Sequence, residues 1–394
     1  MDFDGHPPWC RYDAPVDRRY RTIGIVRDVS VRAGLASLLT MTRGCLPQST
    51  AAATGFRSAT AFAAVNDSGY SDQGMRKPED KLDFAAIRAA HRRIRPHIHR
   101  TPVLTSSRLN DASGACLFFK CENFQKGGAF KARGATNAVF SLDDTAARRG
   151  VATHSSGNHG SAVARAAKLR GIPAHIVMPS NSAKVKVRAV ESYGAQIVFC
   201  EPTQAAREAA CAEVIAKTGA ILIHSFENEH VMAGQGTAAV EVLEDVSDLD
   251  VVICPVGGGG LLCGTAVAAK SIRPEIKVVA AEPVNADDAA QSFHAGRLIH
   301  SKKEFTIADG LRTNVGAPNF AIIQQYVNDI VTVSEEAIVR AMRTIWETMK
   351  IIVEPSAAVP YAAIIENKID LVGKRAGIIL TGGNVDLDAL PWTQ

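Results

Sequence analysis

The chain has 394 residues, of which 46% are apolar and 21% are charged, a balance that is typical of globular proteins. The formal net charge is only +4 and no basic stripe is interleaved with aromatic residues, which argues against nucleic acid as a partner. No apolar run reaches the roughly 18 residues of a membrane span, so no membrane partner is expected. The eight cysteines include no CxxC pair, and several of them lie in apolar strand or helix patterns, which we interpret as buried free thiols in a reducing, cytoplasmic compartment.

The N-terminal segment, residues 1–77, differs from the rest of the chain. Charges of both signs are mixed at its start, a Ser/Thr/Ala/Gly-rich stretch runs from Gln48 to Gly74, and only Val29–Met41 has a helix-like pattern. We therefore expect either a disordered extension or a misassigned start, with Met75 as the true first residue. An organellar targeting segment within the acid-free stretch Met41–Val65 is the remaining interpretation.

The first motif that indicates chemistry is Lys120–Gln125, which continues into Gly128–Ala135. Lys131 lies there beside Phe130 and between small residues. A lysine in a partly apolar pocket loses some of its preference for the charged form, and a neutral amine is what a Schiff base requires. A surface lysine at the start of a helix is the alternative reading of this residue.

A second motif follows the apolar run Gly150–His154. The polar turn Ser155–Gly160 stands between this run and a helix-like segment that begins at Ala162. A strand, a glycine-containing turn and a helix start in this order offer backbone N–H groups and hydroxyls to an anion.

Strands and helices then alternate along the chain. The predicted elements are a strand at Ala174–Pro179, a helix at Val185–Tyr193, a strand at Ile197–Cys200, a helix at Thr203–Thr218 and a strand at Ile221–His224. Repeated βα units predict an α/β fold with mostly parallel sheets flanked by helices. We expect two lobes, a small one at residues 150–227 and a large one that combines 78–149 with 228–394, with a ligand in the cleft between them.

A third motif joins the buried-strand pattern Val251–Val256 to a helix that begins at Leu261. Four glycines, Gly257 to Gly260, lie between them and let the backbone approach a phosphate at a helix N-terminus. No Lys-Ser/Thr pair follows, which excludes a nucleotide P-loop, and the GxGxxG pattern of dinucleotide sites is absent. A flexible turn is the alternative.

An acidic cluster comes next, with Glu282 and Asp288 six residues apart around a turn. Hard divalent cations prefer such oxygen ligands. The alternative is an acidic loop that caps the next helix, because aspartate is favoured at helix N-termini.

A fourth motif is the strand pattern Ile378–Leu380 followed by a glycine turn. Thr381 is placed to offer its hydroxyl at the carboxyl end of this strand, where ligands of open α/β sheets bind. Glu354 follows another apolar run, Ile351–Val353, which we interpret as a strand; this glutamate could equally cap a helix.

These four motifs, in this order, resemble the pyridoxal-phosphate enzymes of the tryptophan-synthase-β type. Within them the chain is most similar to the serine racemase and serine/threonine dehydratase group, over roughly residues 78–390. The resemblance implies that Lys131 bonds covalently to pyridoxal phosphate and that Gly257 to Gly260 bind its phosphate. It also implies that Asn158 contacts the ring hydroxyl, that Thr381 faces the pyridine nitrogen, and that Phe130 lies near the ring.

The resemblance also assigns residues to the substrate. It implies that Ser155, Asn158 and His159 hold the substrate carboxylate, and that Ser156 faces Lys131 across the cofactor, as in the racemases. Ser156 is therefore a second candidate catalytic residue.

Two arginines and one cation site complete the assignment by resemblance. Arg207 and Arg312 are candidate second contacts for a substrate carboxylate, and an inward-facing arginine would favour 3-hydroxyaspartate, since guanidinium binds carboxylate in a forked geometry. The resemblance places a divalent cation, Mg²⁺ or Ca²⁺ with Mn²⁺ as a further option, on Glu282, Asp288 and the Ala286 carbonyl.

The sequence departs from this group at three positions. Ala129 replaces the usual serine two residues before Lys131, which removes a hydroxyl but leaves the amine. Ser161 and Phe226 occupy positions that help to bind ATP in the mammalian racemases, so ATP activation is not expected, and Phe226 is more typical of dehydratases. The chain ends soon after the fourth motif, so we expect no C-terminal regulatory domain.

Three functions therefore compete. The first is a dehydratase of serine, threonine or 3-hydroxyaspartate that releases a 2-oxo acid and ammonia. The second is a serine racemase with dehydratase side activity. The third is a protein that binds pyridoxal phosphate without catalysis, which retention of Lys131, Asn158 and Thr381 opposes. The resemblance also implies a homodimer.

Overall fold

The computed structural model describes residues 82–155, 157–182, 184–300 and 305–392. The predictions for the N-terminal segment and for Ser156 lie outside the described residues.

Ten strands lie in this part of the chain. They are β1 (Val103–Leu104), β2 (Cys116–Cys121), β3 (Val151–His154), β4 (Ala174–Pro179), β5 (Gln196–Cys200), β6 (Ile221–Leu222), β7 (Val251–Pro255), β8 (Lys277–Pro283), β9 (Asp329–Val333) and β10 (Arg375–Leu380).

Thirteen α-helices accompany these strands. The helices are α1 (Phe84–Ile94), α2 (Ser107–Ser113), α3 (Lys131–Ser141), α4 (Asp144–Arg148), α5 (Asn158–Arg170), α6 (Lys184–Glu191), α7 (Gln204–Thr218), α8 (Glu229–Asp245), α9 (Gly260–Ile272), α10 (Asp288–Ala295), α11 (Ala317–Tyr326), α12 (Glu335–Met349) and α13 (Pro355–Ile365). None of them is long and apolar enough to cross a membrane.

The strands form two sheets. One sheet has six strands in the order β1-β2-β10-β7-β8-β9, and all neighbours are parallel except the β1–β2 pair. The other sheet has four parallel strands in the order β5-β4-β3-β6. Parallel neighbours require crossover connections, which the intervening helices supply. The predicted α/β class with mostly parallel sheets is therefore confirmed.

Local sequence explains where several helices begin and end. Thr203 caps α7 by accepting a hydrogen bond from the Ala206 N–H, and Asn228 caps α8 in the same way through Val231. Gly219 ends α7 in the left-handed conformation, with φ of 70°. The predicted helix at 203–218 thus matches α7, with its first residue serving as the cap.

One predicted strand is wrong. The apolar run Ile351–Val353 forms no strand, because its carbonyl groups accept hydrogen bonds from side chains and not from a neighbouring strand. The Ile352 carbonyl accepts from Asn123, and the Val353 carbonyl accepts from the indole N–H of Trp346 over 2.9 Å. Glu354 stands at the N-cap position of α13 but makes no capping hydrogen bond with its side chain.

A fully buried ionic cluster fastens α3 to the large sheet and to α8. The guanidinium of Arg133 donates two hydrogen bonds to Glu122 and two to Glu241, at 2.7 to 2.8 Å. Lys120 also contacts Glu241, at 2.7 Å. Two cations and two carboxylates balance in charge, and the forked arginine geometry satisfies both acids. This cluster lies two residues beyond Lys131 in α3 and fixes the first turn of that helix.

Candidate active site

Lys131 is the first residue of α3, and its side chain is half-buried. The Nζ atom donates a hydrogen bond to the Ser225 carbonyl over 2.9 Å and lies 5.2 Å from the ring centre of Phe130. Burial lowers the pKa of the amine to about 8. A larger fraction of this amine is therefore neutral near pH 7 than for an ordinary lysine, which favours covalent catalysis by lysine.

The peptide that holds Lys131 also reaches the glycine loop, Gly257 to Gly260. Ser225 binds the amine, and the next residue, Phe226, covers the loop. A Cβ atom added at Gly258 would lie 2.3 Å from the Phe226 ring, and one at Gly260 would lie 3.0 Å from the Phe226 Cα. Only glycine therefore fits beneath the Phe226 ring. Because Ser225 contacts the amine and its neighbour Phe226 contacts the loop, the Lys131 amine and the glycine loop belong to one site.

The glycine loop ends β7 and begins α9, and all four glycines are buried. Gly259 has a φ of 92°, which an L side chain rarely adopts. Asn319 fixes the loop from outside, because its Nδ2 donates to the Gly258 carbonyl over 2.6 Å and to the Phe226 carbonyl over 3.1 Å. The N–H groups at the start of α9 can therefore serve an anion in a preformed cradle.

Thr381 lies directly after β10 and is buried. Its carbonyl accepts a hydrogen bond from the Phe130 N–H over 2.9 Å, and Ala129 pairs with Gly382 across the same junction. The fourth motif thus lies against the residues that precede Lys131. No hydroxyl at position 129 is needed for this backbone contact.

Asn158, the first residue of α5, is held by a glutamate and an asparagine. Its Nδ2 donates to both carboxylate oxygens of Glu354, at 2.9 and 3.1 Å, and its Oδ1 accepts from Asn384 over 2.8 Å. Burial, followed by the negative charge of Asp309, raises the pKa of Glu354 to about 7. These contacts fix the orientation of the Asn158 amide and draw the second and fourth motifs together.

His159 is almost fully buried, and its ring is neutral. Burial, and then the charge of Lys131, lower its pKa to about 3. Its Nε2 lies 2.9 Å from the Ile223 carbonyl, which can only accept, so Nε2 carries the proton. Nδ1 is buried without a partner among the described residues. Because Nδ1 carries a lone pair and no proton, it cannot donate a hydrogen bond to a carboxylate. His159 can therefore bind a substrate carboxylate only through its backbone N–H.

The nearby Ser155 hydroxyl accepts a hydrogen bond from the Gly157 N–H over 3.3 Å.

Two further histidines, absent from the sequence predictions, lie near the site: the charge of Lys131 acts on His224, and His154 packs against His224. His154 ends β3 and His224 follows β6, with ring centres 5.9 Å apart. Burial, then His154 and Lys131, lower the pKa of His224 to about 4. The sequence feature that could have identified them is their position at the carboxyl ends of predicted parallel strands, where ligands bind.

The two predicted substrate arginines differ in their surroundings. Arg207 lies in the first turn of α7 next to His154, whose pKa it helps to lower, and its Nε is buried without a partner among the described residues. Arg312 donates through Nε and Nη2 to the Thr306 carbonyl, at 3.0 and 2.6 Å, and stacks on Phe305. The role of either arginine as a substrate contact stays a prediction.

The predicted cation ligands Glu282, Ala286 and Asp288 are all buried. Glu282 accepts hydrogen bonds from two backbone N–H groups at the start of α10, the stronger at 3.0 Å, and Asp288 accepts from the Val315 N–H over 2.7 Å. Within the described ranges no three His, Cys, Asp or Glu side chains form a metal-binding group. Both carboxylates thus bind backbone N–H groups, as the capping alternative proposed, and the divalent cation site stays a prediction.

Pyridoxal phosphate fits the described residues. The amine of Lys131 has its pKa lowered, the glycine loop forms a cradle that a single Cβ would fill, and His159 leaves a buried lone pair at the same site. An aldehyde, a phosphate and a hydrogen-bond donor could each find a partner there.

Comparisons with known proteins agree with this fit. The family model described as "Pyridoxal-phosphate dependent enzyme" matches residues 94–382. A beta-hydroxyaspartate dehydratase from Paracoccus denitrificans (strain Pd 1222) is 51% identical over 304 residues, covering 77% of this chain and 96% of that protein. A serine racemase from Arabidopsis thaliana is 49% identical over 315 residues, covering 78% and 95%. The crystal structure of serine racemase from Dictyostelium discoideum shares 48% identity with a TM-score of 0.75, covering 78% and 99%.

Proposed function

Because the chain belongs to the pyridoxal-phosphate dependent enzyme family, we propose that it is a dehydratase acting on a 3-hydroxy amino acid. It removes water and then ammonia, and a 2-oxo acid is the product. The observation that carries this proposal is the desolvated amine of Lys131, held by the Ser225 carbonyl beside the glycine loop. Such an amine can bond to the cofactor and later accept a proton.

When bound, pyridoxal phosphate supplies an electron sink that makes the α-proton of an amino acid acidic. Gly257 to Gly260 would hold its phosphate, Asn158 would contact its ring hydroxyl, and Thr381 would offer a neutral hydroxyl to its pyridine nitrogen. Lys131 would hold the cofactor through its amine, and its Nζ, when free, would accept the α-proton of the substrate. Phe130 shields this amine from water.

The first turn of α5 holds the substrate carboxylate. Ser155 contributes its hydroxyl, while Asn158 and His159 contribute backbone N–H groups, since the His159 ring has no proton to offer from Nδ1. Helix N-termini stabilise anions at such positions. The substrate is serine, threonine or 3-hydroxyaspartate, and the relative named beta-hydroxyaspartate dehydratase supports the dicarboxylic choice.

A serine racemase with dehydratase side activity is the second candidate. The serine racemase relatives favour it, and Ser156 would supply the proton to the face opposite Lys131. Elimination and racemisation both begin with removal of the same α-proton, so one site can perform both.

Two assembly features accompany the proposal. Glu282, Asp288 and the Ala286 carbonyl bind a divalent cation, because two fully buried carboxylates at one turn favour a hard cation over burial without one. The protein acts as a homodimer, as the resemblance implies.

The test is a substrate panel on purified protein with pyridoxal phosphate and Mg²⁺. L-serine, D-serine, L-threonine and the isomers of 3-hydroxyaspartate are compared by release of 2-oxo acid and by the enantiomer of the remaining amino acid. We expect oxo acid from wild type and from the matched control Lys126→Ala, and none from Lys131→Ala. Full activity of Lys131→Ala would refute the proposal. Accumulation of D-serine from L-serine with little oxo acid would favour the racemase.

A further inference from the structure

A groove lies between the helices α1, α8 and α9, and we call it the α1–α8 groove. Its volume is about 380 Å³, which is within the usual range of small-molecule sites. None of the residues that line it belongs to the candidate active site. The chemistry proposed above therefore gives this groove no role.

The floor of the groove is apolar and spans all three helices. Val240 and Leu243 of α8 are buried members of the hydrophobic core. Phe84 at the start of α1 and Ile272 at the end of α9 are partly buried and pack against the same core. We call these four side chains the apolar floor. A hydrocarbon chain laid along it would leave water, which is the main source of affinity in such sites.

The rim of the groove is basic. Arg88 and Arg92 lie four residues apart on α1, and both are exposed. Residues at this spacing share one helix face, with Cβ atoms about 5 to 6 Å apart, and like charges there destabilise a helix. Burial, and then the charge of Arg92, lower the pKa of the neighbouring Arg93. In the part of the chain that the structure describes, neither Arg88 nor Arg92 makes a hydrogen bond or an ion pair.

The other polar groups of the groove do not compensate these two charges. Glu244 of α8 lies on the rim, but its carboxylate already accepts a hydrogen bond from Arg100 over 2.7 Å. His91 also lines the groove, and burial above all lowers its pKa, so its ring is neutral at pH 7. Among the described residues, the groove thus combines two unpaired guanidinium groups with an apolar floor.

An anion with a hydrocarbon body complements both features. A carboxylate between Arg88 and Arg92 would accept hydrogen bonds from both guanidinium groups and relieve their repulsion. A purely apolar ligand would leave the arginines unpaired, and a small anion would leave the floor in water. Because the floor spans three helices, an extended chain covers more of it than a compact body does.

We propose that the α1–α8 groove binds a medium-chain aliphatic carboxylate, with its carboxylate on Arg88 and Arg92 and its chain along the apolar floor. The site is separate from the residues that hold the cofactor and the amino-acid substrate. Binding there requires no turnover, so this proposal and the dehydratase function can fail independently.

The first test is calorimetric titration of the enzyme loaded with pyridoxal phosphate. Acetate, butanoate and octanoate are compared with octan-1-ol, which has the chain of octanoate without its charge. We expect the affinity to rise from acetate to octanoate, because each added CH₂ group buries more apolar surface, and to be about 10-fold lower or more for octan-1-ol. No binding of octanoate, or an affinity that does not depend on chain length, would overturn the proposal.

The second test locates the bound anion. The double variant Arg88→Gln/Arg92→Gln removes both charges at exposed positions, and we expect it to bind octanoate about 10-fold more weakly or worse. Arg340→Gln, at an exposed position of α12, is the matched control and should bind octanoate as wild type does. A carboxylate held in the candidate active site would not respond to Arg88 and Arg92, so equal affinities of wild type and the double variant would refute the proposed site.

Discussion

Glu354 links the pH to the stability of this protein in a way that one substitution can isolate. Its side chain is almost fully buried, and burial together with Asp309 raises its pKa from 4.5 to about 7. Below pH 4.5 the carboxyl is protonated in both the folded and the unfolded chain, and it has no effect. Between pH 4.5 and 7 the unfolded chain loses this proton while the folded protein keeps it, so stability falls as pH rises.

The size of this loss follows from the shift. A change of about 2.5 pH units in pKa, at 1.36 kcal/mol per unit, corresponds to about 3 kcal/mol that is fully lost above pH 7. Glu354→Gln cannot ionise, but its amide oxygen can still accept from the Nδ2 of Asn158. The glutamine also brings a new NH₂ group, and any free energy that its burial costs does not depend on pH. That cost therefore cancels when the free energies of unfolding at two pH values are compared.

The assay is urea unfolding of the cofactor-loaded wild type and Glu354→Gln at pH 5 and pH 8. We expect the free energy of unfolding of the variant, relative to wild type, to be about 2 to 3 kcal/mol more favourable at pH 8 than at pH 5. Glu336→Gln, at an exposed position, is the matched control and should show no such change. A difference between Glu354→Gln and wild type that is equal at both pH values would refute the reasoning.

Three further substitutions test other parts of the structure. Arg133→Met leaves two fully buried carboxylates without their arginine and should lower the free energy of unfolding by about 3 to 5 kcal/mol in urea, whereas the exposed Arg343→Met should change it by less than about 1 kcal/mol. Equal effects of the two would contradict the cluster. Gly258→Ala places a Cβ against the Phe226 ring and should cost about 1 to 3 kcal/mol while weakening cofactor affinity in a fluorescence titration. Adding Phe226→Leu should restore part of both losses, and no recovery would mean that the ring is not the obstacle. Removal of divalent cations by a chelator should lower the melting temperature of wild type, and Glu282→Gln should abolish that response; a chelator effect that survives in the variant would place the cation elsewhere.

The parts of this site that lie within one short segment could be predicted from sequence. A buried parallel strand reads as a continuous apolar run, and a glycine turn before a helix is visible at Gly257 to Gly260. Lys131, between an aromatic ring and small residues, was identified in the same way and begins α3 with its amine desolvated. These features depend on neighbours along the chain, so the sequence alone was enough to predict them.

Some interpretations from sequence failed or stayed open because they depended on distant neighbours. The run Ile351–Val353 has the composition of a strand, but the side chains of Asn123 and Trp346 take its carbonyl groups. Arg133 carried no prediction from sequence, yet it is fully buried between two acids. Nothing in the neighbouring sequence indicates either the missing strand or the buried arginine.

The sequence by itself determined the α/β class and the order of the four motifs, and it singled out Lys131 as the candidate reactive lysine, because hydrophobic periodicity and glycine placement are properties of short segments. Only the tertiary structure decided which groups meet. Asn158 and Glu354 are 196 residues apart, and Lys131 and Ser225 are 94 apart, yet each pair is hydrogen-bonded. The order of strands in the two sheets brings these residues together, and burial at that junction sets the pKa of Lys131, His224 and Glu354.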